Sequence, residues 1–505
     1  MAERLVVVGG DAAGMSAASA ARRERGPDEL AIVAFERGDY TSYSACGIPY
    51  FIGNLVPDVD ALIARTPQQF AQNHAIDART GHEVTEIDLD RRAVRVRERD
   101  TGNEVWEGFD QLMVATGAVP VRPDLPGAHA DGIFGVQTLT DGLAVRAALA
   151  RGLPAHAVVV GAGYIGLELA EALCAWGVQV TVIDRGPAPM STLDPDMSGL
   201  LSTAMHRFGM TLRLQQTVTG FQTHAGHVTA VVTDHGTVPA ELVILGLGVR
   251  PNTDLAARAG IPLGVTGAIA VNQQMRTDAD GVWAAGDCAE KFHRVSRRQV
   301  AIALGTYANK EGRTAGINIG GGTAHFPGVL GTAVTKICDI EVGRTGLSET
   351  EAHDAGFTAI GVAVDSTTRA GYYPGTKPIR VKLIAERHTG KLLGAQIVGE
   401  EGAAKRIDVL ATALWHGTTV EDLINTDLSY APPFSPLWDP VLIAARKTSQ
   451  HVNTDRSCNP NTPPVQDEQM QLPAQDVSYL LARDAPRAPT PAPNDNAAGE
   501  AHAGQ

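Results

Sequence analysis

Two glycine-rich turns, each joining an apolar strand to a predicted helix, constrain the fold of this chain most strongly. The first follows residues 5–8 and reads GGDAAG, and the second follows residues 157–160 and reads GAGYIG. Such a turn lets a pyrophosphate approach the backbone N–H groups at the start of the helix. The chain is therefore predicted to be an α/β protein with two Rossmann-like dinucleotide-binding domains.

Each unit has an acidic residue at the end of its second strand. Glu36 follows residues 31–35, and Asp184 follows residues 178–183. A carboxylate at this position can accept hydrogen bonds from ribose hydroxyls. Asp184 favours the unphosphorylated ribose of NADH, while Arg185 either pairs with the 2′-phosphate of NADPH or is a solvated charge. NADH is preferred, and NADPH stays open as the alternative.

A single cysteine, Cys46, lies about ten residues beyond the first acidic residue, in the run SYSACGIPY. The turn around it is expected to open a helix, which would lower the thiol pKa and favour the thiolate. A lone thiol cannot close an internal disulfide, so it would carry its oxidising equivalent as a sulfenic acid or a mixed disulfide. The other cysteines have no partner at metal-ligand or redox spacing, and no metal site is predicted: Cys174, Cys288, Cys338 and Cys458.

Two further apolar strands end in glycine, within ATGA at residues 115–118 and VWAAGDCA at residues 282–289. With the two glycine-rich turns, they make the chain resemble the pyridine nucleotide-disulfide oxidoreductase family over about residues 4–446. The resemblance implies that the first unit holds FAD, that the second holds NAD(P)H, and that Asp287 binds the ribityl chain of the flavin. Tyr164 is expected to act as a mobile gate for hydride transfer.

The predicted cofactor-binding residues come from both units and from the strand ends between them. They are Gly9, Ala12, Gly14, Glu36, Arg37, Val84, Thr116, Gly117, Gly161, Gly163, Tyr164, Ile165, Gly166, Glu168, Asp184, Arg185, Gly248 and Asp287.

The cysteine motif resembles the single-cysteine branch that contains coenzyme A-disulfide reductases and NADH oxidases. Ala12 stands where oxidase and peroxidase members carry a histidine, which shifts the prediction toward disulfide substrates. The segments beginning at Tyr372 and Tyr430 match tyrosine motifs of coenzyme A-disulfide reductases. A tyrosine hydroxyl can protonate a departing thiolate, although it can also be satisfied locally in a packed sheet. The predicted catalytic residues are Cys46, Tyr430 and Tyr372.

The resemblance extends to an anionic substrate site near the first helix, formed by Arg22, Arg23, Ser42 and Asn309. The two arginines could also be surface charges at a helix end. The predicted function is electron transfer from NAD(P)H through FAD and the single cysteine to a small disulfide, with coenzyme A disulfide first. An NADH oxidase and an NAD(P)H-dependent polysulfide or persulfide reductase are the alternatives, and a redox-responsive binding flavoprotein ranks below them.

The predicted domains are FAD-binding segments at residues 1–118 and 245–325, an NAD(P)H-binding domain at 119–244, and an α+β dimerisation domain at 326–446. Residues 447–505 are rich in proline and polar residues and are expected to form a disordered tail. The family resemblance implies a homodimer. A net charge of −14 argues against a nucleic-acid partner, and no apolar run of 18 residues suggests a membrane span. A cytoplasmic location is expected, because the first strand leaves no room for a signal sequence.

Overall fold

The structure is a computed structural model that describes residues 2–457, with side chains described as far as Thr454. The predicted tail from residue 458 onward, including Cys458, lies outside the described residues. In the described part, the framework consists of three five-stranded sheets. Two of these sheets are parallel and the third is antiparallel.

The first half of the chain combines strands and helices. Residues 2–120 form β1 Glu3–Val8, α1 Ala12–Glu24, β2 Leu30–Phe35, α2 Ile48–Ile52, α3 Pro67–His74, β3 Ile76–Arg79, β4 His82–Asp88, β5 Ala93–Glu98, β6 Glu104–Gly108, β7 Gln111–Val114 and β8 Ala118–Pro120. Residues 121–245 form β9 Ile133–Phe134, α4 Leu139–Arg151, β10 His156–Val160, α5 Tyr164–Ala175, β11 Gln179–Ile183, α6 Pro195–Arg207, β12 Thr211–Arg213, β13 Val218–His224, β14 His227–Thr233, β15 Gly236–Pro239 and β16 Leu242–Leu245.

The remaining elements complete the first domain and form the C-terminal domain. Residues 246–325 form β17 Val249–Pro251, α7 Asp254–Arg258, β18 Val282–Ala284, β19 Lys291–Phe292, β20 Gln299–Val300 and α8 Gly305–Ile319. Residues 326–457 form β21 Ala333–Ile337, β22 Ile340–Gly346, α9 Glu349–Asp354, β23 Ala359–Thr367, β24 Pro378–Glu386, β25 Leu392–Gly399, α10 Ile407–His416, α11 Val420–Ile424 and α12 Pro440–Ser457.

The first parallel sheet has the strand order β18-β7-β1-β2-β3. Its central strands are apolar and buried, as expected for a parallel sheet that is covered on both faces. Strand β18 follows the whole second sheet in the chain, so two separate stretches of sequence build this domain. The second parallel sheet has the order β12-β11-β10-β16-β9, and its glycine-rich turn joins β10 to α5.

The C-terminal sheet is antiparallel, with the order β21-β22-β25-β24-β23, and helices α10 and α12 contribute to its core. The predicted start of the tail at residue 447 is wrong, because α12 continues to Ser457 and buries Thr448 and Val452. From Arg446 onward the helix carries mostly polar residues, so the composition alone does not reveal its buried face. Within residues 2–457, no helix combines the length and the apolar character that crossing a membrane requires.

One hydrophobic core joins the second domain to its neighbours. It contains the residues around β10 and α5, together with Ile48 and Phe51 from α2 and Ile337 and Val398 from the C-terminal sheet. The segment that follows Cys46 is therefore packed between domains rather than held by its own domain alone.

Candidate active site

The first glycine-rich turn is held close to its sheet by steric contacts that only glycine permits. Gly9 has a φ of +107°, and a Cβ there would overlap the carbonyl oxygen of Ala115. A Cβ at Gly14 would overlap the carbonyl oxygen of Gly9. Helix α1 begins at Ala12, so the free N–H groups of its first turn lie beside this tight turn. The arrangement suits a pyrophosphate at the helix N-terminus.

The second glycine-rich turn repeats this geometry. Gly161 has a φ of +104°, and a Cβ there would overlap the carbonyl oxygen of Gly246. A Cβ at Gly166 would overlap the carbonyl oxygen of Gly161. Gly163 is the N-cap of α5, and Tyr164 is its first residue. The two turns are thus equivalent, as their sequences predict.

The acidic residues of the two units also make equivalent hydrogen bonds. Glu36 accepts the N–H of Gly10 at 2.8 Å, and Asp184 accepts the N–H of Ala162 at 2.7 Å. The second oxygen of each carboxylate accepts an N–H from the residue two positions further on, at 2.7 Å in both cases. Each carboxylate therefore stabilises its own turn, at the strand end where a ribose is predicted to bind. Arg185 is exposed, and no ion pair of it is found in residues 2–457.

The other predicted cofactor residues lie around the first unit and at the junction with the second. Thr116 donates its hydroxyl to the carbonyl of Asn252 at 2.6 Å. Gly117 and Gly248 have φ values of +68° and +82°, in turns that follow β7 and β16. Val84 lies on β4 and packs against the first core.

A cavity of about 610 Å³ lies beside the end of β2 and extends to the start of α4. Its lining includes Glu36, Arg37, Tyr43, Arg97, Arg99, Val119, Gln137 and Asp141.

Asp287 supplies a direct test of whether the residues fit FAD. Its Oδ1 atom is buried and has no hydrogen-bond partner, and burial raises the pKa of its carboxyl group. A buried acceptor of this kind requires a donor, because an unpaired polar atom costs stability. The hydroxyls of a ribityl chain are donors, so Asp287, the turn at Gly9 and the carboxylate of Glu36 together fit the predicted cofactor.

Cys46 lies in a 3-10 turn, Ala45–Gly47, that leads directly into α2. A Cβ at Gly47 would overlap the side chain of Leu62, so the turn is closely packed. The other end of α2 is fixed by Trp176, whose ring N–H donates to the carbonyl of Ile52 at 2.7 Å. Cys46 itself is exposed. The fold thus presents one accessible thiol on a segment that is anchored at both ends.

The prediction that the pKa of the Cys46 thiol is lowered is wrong, because the protein groups around the sulfur raise it. The surrounding protein removes water from the sulfur even though the residue is exposed, and this burial raises the pKa of Cys46. The negative charges of Glu168, Asp287 and Asp11 raise the pKa further. The short helix after the turn does not offset these effects, because the dipole of five residues is small.

Asp11 is a site residue to which the sequence assigned no role. Its carboxylate accepts the N–H of Tyr43 at 3.2 Å, so it ties the first glycine-rich turn to the segment of Cys46. Burial, reinforced by the charges of Glu36 and Asp287, raises the pKa of Asp11 to about 6. The available signal was its position, since an acidic residue replaces the glycine that usually lies there.

The start of α5 faces the same region. Tyr164 has a buried hydroxyl without a hydrogen-bond partner, and burial raises its pKa. Ile165 is exposed. Glu168 accepts the hydroxyl of Thr335 at 2.6 Å, which links α5 to the C-terminal sheet. Because Glu168 is also the first charge acting on Cys46, the predicted NAD(P)H helix lies near the thiol.

The two predicted catalytic tyrosines meet on the surface of the C-terminal domain. Tyr372 is 77% exposed and Tyr430 is 44% exposed. Interaction with the side chain of Tyr430 raises the pKa of Tyr372. The charges that act on Cys46 come instead from the turn before α1, from α5 and from the turn after β18.

The predicted substrate residues have different environments. Arg22 donates to the carbonyl oxygens of His74 and Ala75, at 3.0 and 3.1 Å, so its guanidinium fixes the end of α3. This role was not visible in the sequence and takes up donors that the prediction assigned to a substrate. Arg23 is exposed on the last turn of α1.

Ser42 and Asn309 are the other two predicted substrate residues. Ser42 has a φ of +46°, and its N–H donates to the carbonyl of Gly10 at 3.0 Å. Asn309 lies on α8 and accepts the hydroxyl of Ser16 on α1 at 2.7 Å. These residues therefore border the helix that begins at the first glycine-rich turn.

Lys291 and Glu311 form a buried charge pair that the sequence analysis missed. Their side chains are both 0% exposed, and Nζ lies 3.5 Å from Oε2. Glu311 lies almost two turns into α8, where a charged residue gives no hint of burial. The pair contacts the turn that carries Asp287.

Comparison with known proteins identifies the family. A model described as pyridine nucleotide-disulphide oxidoreductase matches residues 3–312, and the dimerisation domain of that family matches residues 332–440. The chain belongs to the pyridine nucleotide-disulphide oxidoreductase family. The predicted family and fold are confirmed, and the protein is an FAD-containing, NAD(P)H-dependent oxidoreductase of the flavoprotein disulfide reductase type.

Several relatives within this family cover most of the chain. The chain is similar to an NAD(P)H coenzyme A polysulfide/persulfide reductase of Pyrococcus horikoshii, with 40% identity over 88% of this chain and 98% of the relative. It is 30% identical to a coenzyme A disulfide reductase of Staphylococcus epidermidis over 86% of this chain and 96% of the relative. A solved NAD-dependent persulfide reductase from A. fulgidus has 38% identity and a TM-score of 0.86, covering 90% of this chain and 84% of that chain.

Proposed function

We propose that this flavoprotein reduces the sulfur–sulfur bond of a small coenzyme A substrate, with coenzyme A disulfide as the first candidate. The observation that carries the proposal is the single exposed thiol of Cys46 on an anchored segment beside both nucleotide units. The other free cysteines in the described part are buried or half-buried. A lone accessible thiol suits a mixed disulfide with the substrate rather than a disulfide within the chain.

The proposed overall reaction consumes one NAD(P)H, one proton and one coenzyme A disulfide, and it yields NAD(P)⁺ and two thiols. FAD, when bound, supplies the hydride and electron transfer between the nicotinamide and the sulfur. The Cys46 thiolate attacks one sulfur of the substrate disulfide, forms a mixed disulfide and releases the first thiolate. Reduction of that mixed disulfide by two electrons releases the second thiolate and restores Cys46.

The departing thiolate needs a proton, and the tyrosine pair is the proposed donor. The side chains of Tyr372 and Tyr430 interact with each other, which raises the pKa of Tyr372, and both are exposed, so a substrate can reach them. We expect Tyr430→Phe to lower kcat by about tenfold or more, as the loss of a general acid does.

We also propose that the active enzyme is a homodimer with shared sites. The two tyrosines belong to the C-terminal domain, which matches the dimerisation domain of the family. Their high exposure in a single chain is consistent with a position facing the Cys46 site of a second copy. In this arrangement, each subunit contributes the thiol to one site and the tyrosines to the other.

A coenzyme A persulfide is the second candidate substrate. Relatives named as persulfide reductases are 40% and 38% identical to this chain, against 30% for the coenzyme A disulfide reductase. Here the products would be coenzyme A thiol and hydrogen sulfide, and the same thiol would carry the exchange. Oxygen is a weaker candidate, because Ala12 leaves the first turn without the histidine of oxidase members.

The test is steady-state consumption of NADH and NADPH by the purified holoenzyme with coenzyme A disulfide, coenzyme A persulfide or oxygen as acceptor. Wild type is compared with Cys46→Ser, and Cys174→Ser serves as the matched cysteine control. We expect turnover with a sulfur acceptor that is lost in Cys46→Ser and retained in Cys174→Ser. Oxygen as the sole acceptor, or full activity in Cys46→Ser, would contradict the proposal.

A further inference from the structure

The buried Lys291–Glu311 pair forms hydrogen bonds with the backbone of the turn that carries Asp287. Oε2 of Glu311 accepts the N–H of Gly286 at 2.8 Å. Nζ of Lys291 donates to the carbonyl oxygen of Gly286 at 2.8 Å and to that of Ala289 at 3.0 Å. Both backbone polar groups of the residue before Asp287 are therefore bonded to one ion pair.

Gly286 has a conformation that needs such support. Its φ is +82°, in the left-handed region, and a Cβ there would lie 2.9 Å from the Cβ of Ala13 on α1. A residue without a side chain cannot be fixed by side-chain packing, so backbone hydrogen bonds are the means available. Helix α8 brings Glu311 to this turn because Gly312 lies directly against the backbone of Ala13.

Burial of the Lys291–Glu311 pair would lower the stability of the protein if the pair only filled space. Burying two charges costs several kcal/mol per ion, and a well-packed apolar pair often gives equal or greater stability. Oε1 of Glu311 also lacks a hydrogen-bond partner, and burial raises the pKa of this carboxyl group while Lys291 opposes that shift. The charged pair therefore contributes the geometry of its hydrogen bonds to the turn at Gly286, rather than stability.

We propose that Lys291 and Glu311 are positioning residues for FAD, which fix the turn at Gly286 and thereby hold Asp287 ready to accept hydrogen bonds from the ribityl chain. This inference rests on the assignment of Asp287 to FAD. The pair touches neither Cys46 nor the tyrosines, so its removal should affect cofactor retention before it affects the sulfur chemistry.

The test is a thermodynamic cycle on FAD binding by the full chain. Lys291→Met/Glu311→Met removes both charges with little change in volume, and Asp287→Ala removes the proposed acceptor. The dissociation constant is obtained from the fluorescence of FAD released by the purified holoprotein on dilution. We expect the double methionine variant and Asp287→Ala each to weaken FAD binding by about tenfold or more. The triple variant that combines them should bind FAD only slightly more weakly than either one alone.

A second variant and a control separate positioning from general stability. Lys291→Met/Glu311→Gln keeps an oxygen that can accept the N–H of Gly286, and we expect it to bind FAD more tightly than the double methionine variant. The control, Lys382→Met, removes a buried lysine of the C-terminal domain that pairs with Asp194 at 3.1 Å. It should lower Tm and leave the FAD dissociation constant within about twofold of wild type.

The outcomes distinguish the inference from its premise. If Asp287→Ala binds FAD like wild type, the assignment of Asp287 is wrong. If Asp287→Ala weakens FAD binding but the double methionine variant does not, or the effects simply add, the positioning role is wrong. If the double methionine variant does not fold, Lys291→Met/Glu311→Gln decides instead. This variant lacks both charges, so FAD binding as tight as in wild type would overturn the positioning role of the charged pair.

Discussion

Cys46 is accessible to solvent, yet its protein environment disfavours the charged form. Glu168 is the first contributor among the charges that raise its pKa. Replacing this carboxylate by Gln should lower the thiol pKa, because a repulsive charge is removed. We expect Glu168→Gln holoenzyme, reduced with NADH, to be alkylated by iodoacetamide faster than wild type at pH 8. Glu171→Gln, one turn along α5, is the control and should react like wild type, and slower alkylation of Glu168→Gln would contradict the account.

Asp11 gives a pH dependence with a definite sign. Its pKa is raised from 3.8 to about 6 in the folded protein, so the folded state holds this proton more tightly than the unfolded state. The corresponding stability is present below the unfolded pKa and is lost as the pH rises through about 6. Between pH 5 and pH 8, we expect wild-type apoprotein to lose about 1 kcal/mol relative to Asp11→Asn. Urea unfolding at both pH values measures the free energy of unfolding of each protein. An equal change between pH 5 and pH 8 in wild type and Asp11→Asn would show that the pKa of Asp11 is not raised.

At the residue scale, local geometry was predictable and long-range partners were not. The positive φ values of Gly9 and Gly161 follow from short turns whose shape depends on a few neighbouring residues. The role of Arg22 depends on carbonyls about fifty positions away, and nothing in the local sequence indicates them. The pKa of Cys46 likewise depends on carboxylates brought together by three separate elements.

At the scale of elements, the packing of α1 against α8 depends on small residues. A Cβ at Gly312 would overlap the backbone of Ala13, whereas a Cβ at Gly199, on the exposed face of α6, would meet no atom within 4 Å. We expect Gly312→Ala to destabilise the protein by about 1–3 kcal/mol through overpacking. Gly199→Ala should stabilise it by about 0.5–1 kcal/mol, because alanine favours a helix.

The measurement for this pair is urea unfolding of both variants beside wild type. Similar changes in the two variants would mean that helix propensity, and not the contact between α1 and α8, determines the result. The sequence predicted α1 as a helix of small residues, but it did not predict α8 as its partner, because the two are almost three hundred residues apart in the chain.

At the scale of the whole molecule, shared sites predict complementation between impaired subunits. A dimer that combines a Cys46→Ser subunit with a Tyr430→Phe subunit contains one site with both native groups. Random mixing of equal amounts of the two variants, by denaturation and refolding together, should restore about a quarter of wild-type activity for independent sites. Activity no higher than the mean of the separate variants would place the thiol and the tyrosine in the same subunit.

The two nucleotide-binding domains were predictable because their turns and strands carry strong local patterns. The C-terminal domain was predictable through its resemblance to the dimerisation domain of the family. The end of the C-terminal domain was not, because the last buried turns of α12 carry mostly polar residues. Contacts between domains, such as that of Thr335 with Glu168, arise only when distant surfaces meet. They determine the environment of the thiol, which explains why its presence was easier to predict than its pKa.

The central claim is that Cys46 carries the substrate as a mixed disulfide. The most direct test is to mix NADH-reduced holoenzyme with one equivalent of coenzyme A disulfide, quench with acid after a single turnover begins, and digest without reductant for mass spectrometry. We predict one coenzyme A on the peptide that contains Cys46, with none on the peptides of Cys174, Cys288 and Cys338. An unmodified Cys46 peptide under conditions where the substrate is being reduced would contradict the account.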